Sequence, residues 1–248
     1  IKVSQTPLYQ HPGTSGRWGS ELVFGERVHV FERDEAVGTA WCQHDADGYV
    51  GYVPLSALCA DTPPTHRVWA VQAPLFPEAD LKTPIIGWRS IGSLVTLTGV
   101  EKNRFVETSN GNWLYNRHVK PLDVTDDDYI ATALRFMEQP YIWGGRCGRG
   151  LDCSALVQFA LNFAGMADCP RDTDQQQASL GQQLPPDTKR KAGDLAFFPG
   201  HIGIMLDQDR MLHANATHMA VSIDGADEVA QWTLASDGAG IIGINRLD

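Results

Sequence analysis

The sequence lacks long apolar runs, an excess of basic residues and closely spaced cysteine pairs. No stretch of about 18 consecutive apolar residues occurs, so no membrane-spanning helix is predicted. Lys and Arg number 20 against 30 Asp and Glu. The net charge of −10 argues against nucleic acid as a partner and gives no electrostatic reason to bind an acidic membrane surface. No two of the five cysteines have C-x-x-C spacing, so neither a metal site nor a cofactor is expected.

The sequence does contain a cysteine placed for nucleophilic chemistry. Cys153 follows a glycine-rich turn at residues 144–150 and precedes an apolar pattern of helical spacing. This predicts a thiol near a helix N-terminus, where unpaired N–H groups and the helix dipole stabilise a thiolate. The plain alternative is a small apolar residue that covers a helix start.

Two histidines follow on strand-like segments. His201 opens an apolar run after a Pro-Gly turn, and His213 lies 12 residues further on, beyond a turn at residues 207–209. Antiparallel pairing of the two strands would bring both imidazoles side by side. A cysteine nucleophile needs a base, and the base needs a third group to orient it. A single histidine on an apolar strand is more often a core residue, but two at this spacing favour catalysis.

The first half of the chain has the sequence pattern of short strands separated by turns. Residues 26–31, 40–43 and 49–54 read as strands. An approximate repeat of roughly sixty residues follows, with residues 92–97 corresponding to residues 25–30. A Pro-rich stretch at residues 61–65 is typical of a stiff linker between the two copies.

The second half has helical and strand patterns that predict an α+β layer arrangement. The stretch Thr125-Asp126-Asp127-Asp128 is interpreted as a cap for a helix over 129–137, because the ligand alternation of a calcium loop is absent. The helix after Cys153 should end near Gly165. Later strands are predicted in an antiparallel sheet, over residues 195–198, 202–206, 211–214 and 241–245. No assignment is made for residues 216–240.

Several blocks of the sequence resemble motifs of one protein family and occur in the same order as in that family. They are residues 139–145, 152–154, 169–176 and 193–195 with the two histidines, and they are similar to NlpC-type, papain-like peptidases of bacterial cell walls. Each upstream copy resembles a bacterial SH3-like barrel. The resemblance implies an α+β, papain-like catalytic domain at residues 125–248. It also implies a first barrel at residues 1–60 and a second, divergent barrel at residues 66–122.

The resemblance also implies a reaction. It is hydrolysis of the γ-D-glutamyl bond to lysine or diaminopimelate in murein peptides with a free N-terminal L-Ala, in recycling or turnover of the cell wall. Cys153 would be the nucleophile, His201 the base and His213 its orienting group, with Tyr141 near the oxyanion. Two alternatives stay open. The barrels could anchor a secreted hydrolase to intact peptidoglycan, or the core could be an amidase or acyltransferase of the same superfamily.

A closed pocket for the substrate's ammonium group would need a carboxylate and hydroxyls. Three residues of the catalytic domain match the family positions, Asp152, Ser154 and Thr173, and Trp143 would wall the pocket. Candidates from the first barrel are Tyr49 and Glu26. The plain alternatives are a helix cap for Asp152 and surface or packing roles for Tyr49 and Glu26. Arg171 is interpreted as an exposed residue or as a partner for a substrate carboxylate.

The cysteines and the start of the chain bear on the cellular compartment. A nucleophilic Cys153 should stay free, which favours a reducing compartment. Cys147 and Cys169 are interpreted as packing residues, and a Cys42–Cys59 disulfide is allowed but not required. The chain opens without a basic-then-apolar signal segment. We therefore expect a cytoplasmic protein, with a secreted or periplasmic one as the alternative if a signal peptide has been removed.

Overall fold

The computed structural model describes residues 1–166, 168–186 and 188–247. The chain forms two compact units. Unit 1 comprises residues 1–124 together with residues 146–149, and unit 2 comprises residues 125–145 and the chain from residue 150 onward. The division into domains at residues 1–60, 66–122 and 125–248 stays a prediction.

Unit 1 consists of short strands and two 3₁₀ turns, Leu55–Ala57 and Asn116–His118. Its strands are β1 (Gln5–Tyr9), β2 (Trp18–Val23), β3 (Val28–Asp34), β4 (Thr39–His44), β5 (Val50–Pro54), β6 (His66–Val68), β7 (Gln72–Leu75), β8 (Gly87–Ser90), β9 (Leu94–Val95), β10 (Leu97–Lys102), β11 (Phe105–Thr108), β12 (Trp113–Tyr115), β13 (Val119–Pro121) and β14 (Arg146–Cys147).

The first region of unit 1 is a five-stranded antiparallel sheet in the order β2-β1-β5-β4-β3. The three predicted strands are confirmed as β3, β4 and β5. Alternating side chains of β1, β4 and β5 face one apolar core, as period-two patterning requires, whereas β3 is exposed except for half-buried Val28. The core is formed by Ile1, Leu8, Leu22, Ala40, Cys42, Val53 and Ala57. In these pairings β2 and β3 are the outer strands, and closure into a barrel stays a prediction.

The second region of unit 1 is divided among smaller sheets. Strands β10, β11 and β12 form one sheet, β13, β6 and β9 form another, and β7 and β8 form a hairpin. A core of Val68, Ala73, Leu75, Val95, Leu114 and Val119 lies between them. The predicted second barrel is thus represented by antiparallel pieces rather than by one closed sheet.

Unit 2 combines four helices with a six-stranded sheet. The helices are α1 (Tyr129–Leu134), α2 (Cys153–Phe163), α3 (Thr173–Ser179) and α4 (Ala226–Asp237). The strands are β15 (Gly150–Leu151), β16 (Gln182–Gln183), β17 (Leu195–Phe198), β18 (His201–Met205), β19 (Arg210–Asn215), β20 (Ala220–Gly225) and β21 (Gly243–Arg246). The sheet order is β16-β21-β17-β18-β19-β20, and every described pairing is antiparallel.

Helix α1 begins where the acidic run predicts. The Asp128 carboxylate accepts a hydrogen bond from the Ala131 N–H at 2.9 Å and so caps the first turn. The helix ends at Leu134 rather than at residue 137. The next residues continue through tighter bonds to the third residue back, such as Phe136 N–H to the Ala133 carbonyl at 3.0 Å. A left-handed Glu138, at φ 65°, then redirects the chain.

Helix α2 is the structural centre of unit 2. It begins at Cys153, as predicted, and the chain turns away at Gly165, where φ is +86°. A positive φ suits glycine because it has no Cβ. The sequence predicts one inner face, yet every residue of the helix except Asn162 is buried. The reason is that α1 and the turn after it pack on one side, where Phe136 of that turn stacks on Phe159, and strands β18 and β19 pack on the other.

The sheet contains the four predicted strands and two that the sequence did not reveal, β16 and β20. The confirmed strands are β17, which has the predicted bounds, and β18, β19 and β21, whose bounds are shifted by one or two residues. Residues 216–240, left unassigned from sequence, form β20 and α4. Strand β20 pairs with β19 along all six residues, from Arg210 opposite Gly225 to Asn215 opposite Ala220.

Gly203 in β18 gives room for the functional side chains of the neighbouring strand. A Cβ at this position would collide with the Met211 methyl group and lie 3.2 Å from Cβ of His213. Glycine therefore lets β18 and β19 approach while His213 reaches across towards His201.

Among residues 1–166, 168–186 and 188–247, no helix is long and apolar enough to cross a membrane, and no cluster of three or more His, Cys, Asp or Glu side chains is arranged to hold a metal ion. None of the five cysteines forms a disulfide within these residues, and Cys42 is buried whereas Cys59 is exposed. The disulfide that the sequence allowed between those two residues is thus not formed.

Candidate active site

Cys153 is the first residue of α2 and is 6% exposed. Backbone hydrogen bonds from Ile202 and Ser154 reach its thiol. Ile202 directly follows His201 in β18, so the sulfur lies against the beginning of the strand that carries the first predicted histidine. The fold thus brings the two segments together although about fifty residues separate them.

The two histidines are partners, as their spacing predicts. The Nε2 atom of His201 lies 2.7 Å from Nδ1 of His213, with the ring planes at 64°. Strands β18 and β19 are antiparallel neighbours, which places the two side chains on one face of the sheet. His213 is buried and His201 is half-buried. The bond to His213 engages Nε2 of His201 and leaves Nδ1 as the nitrogen for a thiol.

The hydrogen-bond chain continues beyond His213 to residues that sequence reasoning missed. Nε2 of His213 lies 2.9 Å from Oδ2 of Asp224 on β20. Ser222 donates to the same carboxylate oxygen at 2.5 Å, and Nε2 of His218 lies 3.2 Å from Oδ1. The available signal was the alternation Ser222-x-Asp224, which places two polar side chains on one face of a strand, but this strand was not recognised.

The charge state of the thiol differs from the expectation. Burial raises the pKa of Cys153 to about 12, and the Asp152 carboxylate adds to this, against the backbone hydrogen bonds and Arg171. Removal from water lowers the pKa of His201 to about 3, and His213 beside it adds to the effect. Both shifts favour a neutral thiol and a neutral imidazole over the predicted thiolate in the protein without substrate.

Tyr141 lies near the nucleophile. Burial raises the pKa of its hydroxyl, and negative charge on Cys153 and Asp152 acts in the same direction. Its backbone is fixed by a hydrogen bond from its N–H to the Met219 carbonyl at 2.9 Å. The structure thus brings Tyr141 together with Cys153, and its role at an oxyanion stays a prediction.

Asp152 caps α2 and is surrounded by donors. The N–H groups of Ala155 and Gly144 donate to its carboxylate at 2.9 and 3.0 Å. The Ser154 hydroxyl donates at 3.1 Å, and Arg171 donates through both terminal nitrogens at 3.0 and 2.6 Å. The helix-cap interpretation is therefore confirmed. The role of Asp152 towards a substrate ammonium stays a prediction.

Arg171 is neither exposed nor available to a substrate carboxylate, so both interpretations of this residue are wrong. It is 2% exposed, and its guanidinium forms a two-pronged ion pair with Asp152. It also donates to the Ser154 hydroxyl at 2.6 Å. A buried arginine satisfies its charge in this way because desolvation without a partner is costly.

The remaining candidates of unit 2 lie around this cluster. Thr173 is the half-buried first residue of α3, and Trp143 is 66% exposed. Gln176, which the sequence did not single out, is fully buried and donates to the carbonyls of Ser154 and Pro170 at 3.0 and 2.8 Å. It connects α3 to the first turn of α2.

The two candidates from unit 1 lie in interior positions. Glu26 accepts hydrogen bonds from both terminal nitrogens of Arg146, at 3.0 and 2.9 Å, and from the Val23 N–H at 2.8 Å. Burial alone would raise its pKa, but Arg146 and His44 hold it at about 2. Tyr49 is half-buried and packs against the core of the first sheet. These contacts are structural ones, and a role in closing a substrate pocket stays a prediction.

Comparisons with known proteins agree with this geometry. Residues 138–234 match the family model described as NlpC/P60 family. Residues 8–58 match the family model described as bacterial dipeptidyl-peptidase Sh3 domain.

Three curated relatives cover parts of the chain. Dipeptidyl-peptidase 6 of Lysinibacillus sphaericus is 33% identical over 102 residues, 41% of this chain and 37% of that protein. Gamma-D-glutamyl-L-lysine dipeptidyl-peptidase of Bacillus subtilis is 36% identical over 107 residues, 40% of this chain and 35% of that protein. The bifunctional muramidase/DL-endopeptidase CwlT of B. subtilis is 34% identical over 142 residues, 52% of this chain and 40% of that protein. The matched segments thus span two fifths or less of these relatives.

A solved structure shares the fold along the whole chain. It is the crystal structure of an NlpC/P60 family protein from Bacillus cereus, with a TM-score of 0.79 and 20% identity, covering 99% of this chain and 98% of that one. The chain therefore contains a cysteine-type peptidase domain of the NlpC/P60 family, which follows a bacterial SH3 domain of the dipeptidyl-peptidase type in the sequence.

Proposed function

We propose that the protein is a cysteine endopeptidase that cleaves the γ-D-glutamyl bond to lysine or diaminopimelate in murein peptides with a free N-terminal L-Ala. The observation that carries the catalytic part is the cluster of Cys153 at the start of α2 with the His201–His213 pair. The substrate part is supported by the relatives named for a γ-D-glutamyl-L-lysine bond.

The reaction begins with a neutral pair. The Cys153 sulfur attacks the γ-carbonyl carbon while Nδ1 of His201 takes the thiol proton, which forms a carbon–sulfur bond and an oxyanion. The Cys153 N–H stabilises this oxygen, and the Tyr141 hydroxyl is placed to assist. His201 then returns its proton to the leaving amine of the diamino acid, which breaks the peptide bond.

Water completes the cycle. His201, again neutral, takes a proton from a water molecule that attacks the thioester. Collapse of the second tetrahedral intermediate releases the γ-carboxylate of D-Glu and returns the proton to the sulfur. The lowered pKa of His201 keeps its imidazole neutral over the physiological range, so a ring nitrogen has a lone pair that can take the proton.

Selectivity for a free amine is the finer part of the proposal. Asp152 and Ser154 would supply the oxygen atoms for the ammonium group, with Thr173 and Trp143 nearby. Because Asp152 is paired with Arg171, it provides a polarised acceptor rather than an isolated charge.

Hydrolysis of a matched substrate pair tests the proposal. L-Ala-γ-D-Glu-diaminopimelate should be cleaved, and its N-acetylated form should react on the order of a hundredfold more slowly, because a buried polar site left unpaired discriminates strongly. Cys153→Ala should abolish cleavage, whereas Cys59→Ser, which alters an exposed thiol, should not. Equal rates on the two peptides would remove the free-amine requirement and leave the endopeptidase assignment.

A second candidate, hydrolysis of intact peptidoglycan, is favoured by the similarity to a muramidase/DL-endopeptidase. Release of peptides from purified cell walls, measured beside the soluble peptides, separates the two functions. Faster turnover of intact wall than of the free peptide would favour this candidate.

We also propose a cytoplasmic location. None of the five cysteines forms a disulfide within the described residues, and a reducing compartment would keep Cys153 reactive. Recovery of the protein only outside the cytoplasm, after cell fractionation, would contradict this part alone.

A further inference from the structure

Asp224 is a carboxylate that the proposed reaction does not use. It lies on β20, its side chain is 15% exposed, and it faces the ring of His213. Its other partners are donors, the Ser222 hydroxyl on Oδ2 and the His218 ring on Oδ1. A carboxylate held by donors on both oxygens is poised to determine the protonation of the imidazole beside it.

The hydrogen-bond chain has one consistent arrangement of protons. Burial would raise the pKa of Asp224, but hydrogen bonds from Ser222 and His213 and the neighbouring His213 and His218 rings lower it, so the group is ionised. An ionised carboxylate only accepts hydrogen bonds, so Nε2 of His213 must carry a hydrogen. Nδ1 of a neutral His213 then has a lone pair, which accepts from Nε2–H of His201.

This order leaves the lone pair of His201 on Nδ1. A competing contact exists, because Nδ2 of Asn215 lies 3.2 Å from Nε2 of His213. That amide has two other acceptors for its two hydrogens, the Ser222 hydroxyl at 2.7 Å and the Ala220 carbonyl at 3.4 Å, so it does not require a lone pair on Nε2 of His213. A lone pair on Nε2 of His213 would also face the Asp224 oxygen at 2.9 Å, which is repulsive.

We propose that Asp224 is a positioning residue of the cysteine peptidase. It fixes His213 as the Nε2–H tautomer, and through His213 it fixes His201 with its basic nitrogen towards Cys153. When His201 takes the thiol proton, the negative charge of Asp224 also stabilises the imidazolium through His213. The inference rests on the proposed roles of Cys153, His201 and His213 and adds a fourth member to their relay.

Kinetics of a nearly isosteric variant test the role. Asp224→Asn should lower kcat on the order of 10- to 100-fold, the range typical of residues that orient a functional histidine, with KM changed less than about twofold. The matched control is Asp227→Asn, which removes an equal charge from the exposed start of α4, where Asp227 pairs with Arg190. Equal losses in the two variants would overturn the proposal.

A double-mutant cycle separates positioning from a general structural effect. In a His213→Asn background, Asp224→Asn should cost less than about twofold, because its route to His201 is already removed. An undiminished loss in that background would show that Asp224 acts by another path. Formate should restore part of the activity of Asp224→Gly, because it can replace the missing carboxylate.

Nitrogen-15 NMR of the full-length protein tests the inference without any substrate. His213, assigned by comparison with His213→Asn, should show a protonated Nε2 and an unprotonated Nδ1 at neutral pH. In Asp224→Asn the signals should shift towards the other tautomer or a mixture. A wild-type His213 protonated on Nδ1 would overturn the proposal even if the peptidase acts on a different substrate. The converse result, the expected tautomer without hydrolysis of the murein peptide, would count against the proposed substrate only.

Discussion

Two histidines, one in each unit, have pKa values that shift in opposite directions. Burial would lower the pKa of His44 in unit 1, but the neighbouring carboxylates of Glu26 and Asp47 raise it to about 9. Loss of water and electrostatic repulsion from the His213 ring lower the pKa of His201 in unit 2 to about 3. The side-chain type is the same, so the charge of the partner decides the outcome.

The comparison separates two uses of a buried polar network. In unit 1, the cations His44 and Arg146 contact the Glu26 carboxylate. This network stabilises the fold as long as all three groups keep their charges. In unit 2, the carboxylate of the relay, Asp224, contacts His213, and His213 in turn contacts the base His201. His201 therefore stays neutral and can accept a proton. A base must be able to change its charge, and a structural ion pair must not.

The largest expected effect is the loss of the base. His201→Ala should lower kcat/KM by roughly 10⁴-fold, at the upper range for general acid–base groups. His213→Asn should be milder, because asparagine can still accept from Nε2–H of His201. Steady-state hydrolysis of the murein peptide measures both, with His29→Asn at an exposed position of unit 1 as the control. The reverse order of severity would mean that the two histidines exchange roles.

The next largest expected effect is the pH dependence of the reactivity of the Cys153 thiol. Because the pKa of the thiol is raised to about 12, the thiolate fraction should grow about tenfold per pH unit, or about 10³-fold from pH 6 to pH 9. The alkylation rate with iodoacetamide, measured in a Cys59→Ser background, follows this fraction. A rate that is flat from pH 6 to pH 9 would show a thiolate–imidazolium pair and contradict the neutral pair.

Removal of the central cation should break the network of unit 1. Arg146→Met leaves the buried Glu26 without its guanidinium partner, and the free energy of unfolding of unit 1 should fall by roughly 3–5 kcal/mol. Urea denaturation of the full chain measures the change. Arg149→Met, at an exposed neighbour in the same segment, should cost less than about 0.5 kcal/mol. A similar loss of unfolding free energy in both variants would contradict a stabilising role for the network.

The smallest effect concerns pH. His44 has a folded pKa of about 9, above its unfolded value of about 6.5. Its contribution to the free energy of unfolding is therefore complete below pH 6.5 and is lost as pH rises through 9. The loss amounts to at most about 3 kcal/mol. Glu26, with its pKa lowered to about 2, loses its contribution only as pH falls towards 2. Urea midpoints of the wild type and His44→Gln should converge between pH 6.5 and pH 9.5, and parallel curves would contradict this assignment.

Local signals predicted much of the fold and site. The caps Asp128 and Asp152 were recognisable because short-range hydrogen bonding to a helix N-terminus needs only neighbouring residues. Cys153 and the His201–His213 pair were recognisable because a helix start and a short hairpin turn fix geometry within a few residues.

Long-range contacts escaped prediction. Strand β20 and Asp224 were missed because their role depends on pairing with β19, and the short alternation Ser222-x-Asp224 is a weak local signal without that pairing. Arg171 was misread because its partner Asp152 is 19 residues away and only the packing of the intervening chain makes the pair buried. The thiolate was expected from the helix dipole, but burial of Cys153 outweighs that field.

The amino-acid sequence by itself determined which chemistry is available, a cysteine at a helix start and two histidines on adjacent strands, because these depend on spacing along the chain. The tertiary structure decided the protonation of those groups. Desolvation and the charge of distant partners set a pKa, and neither exists until the chain is folded.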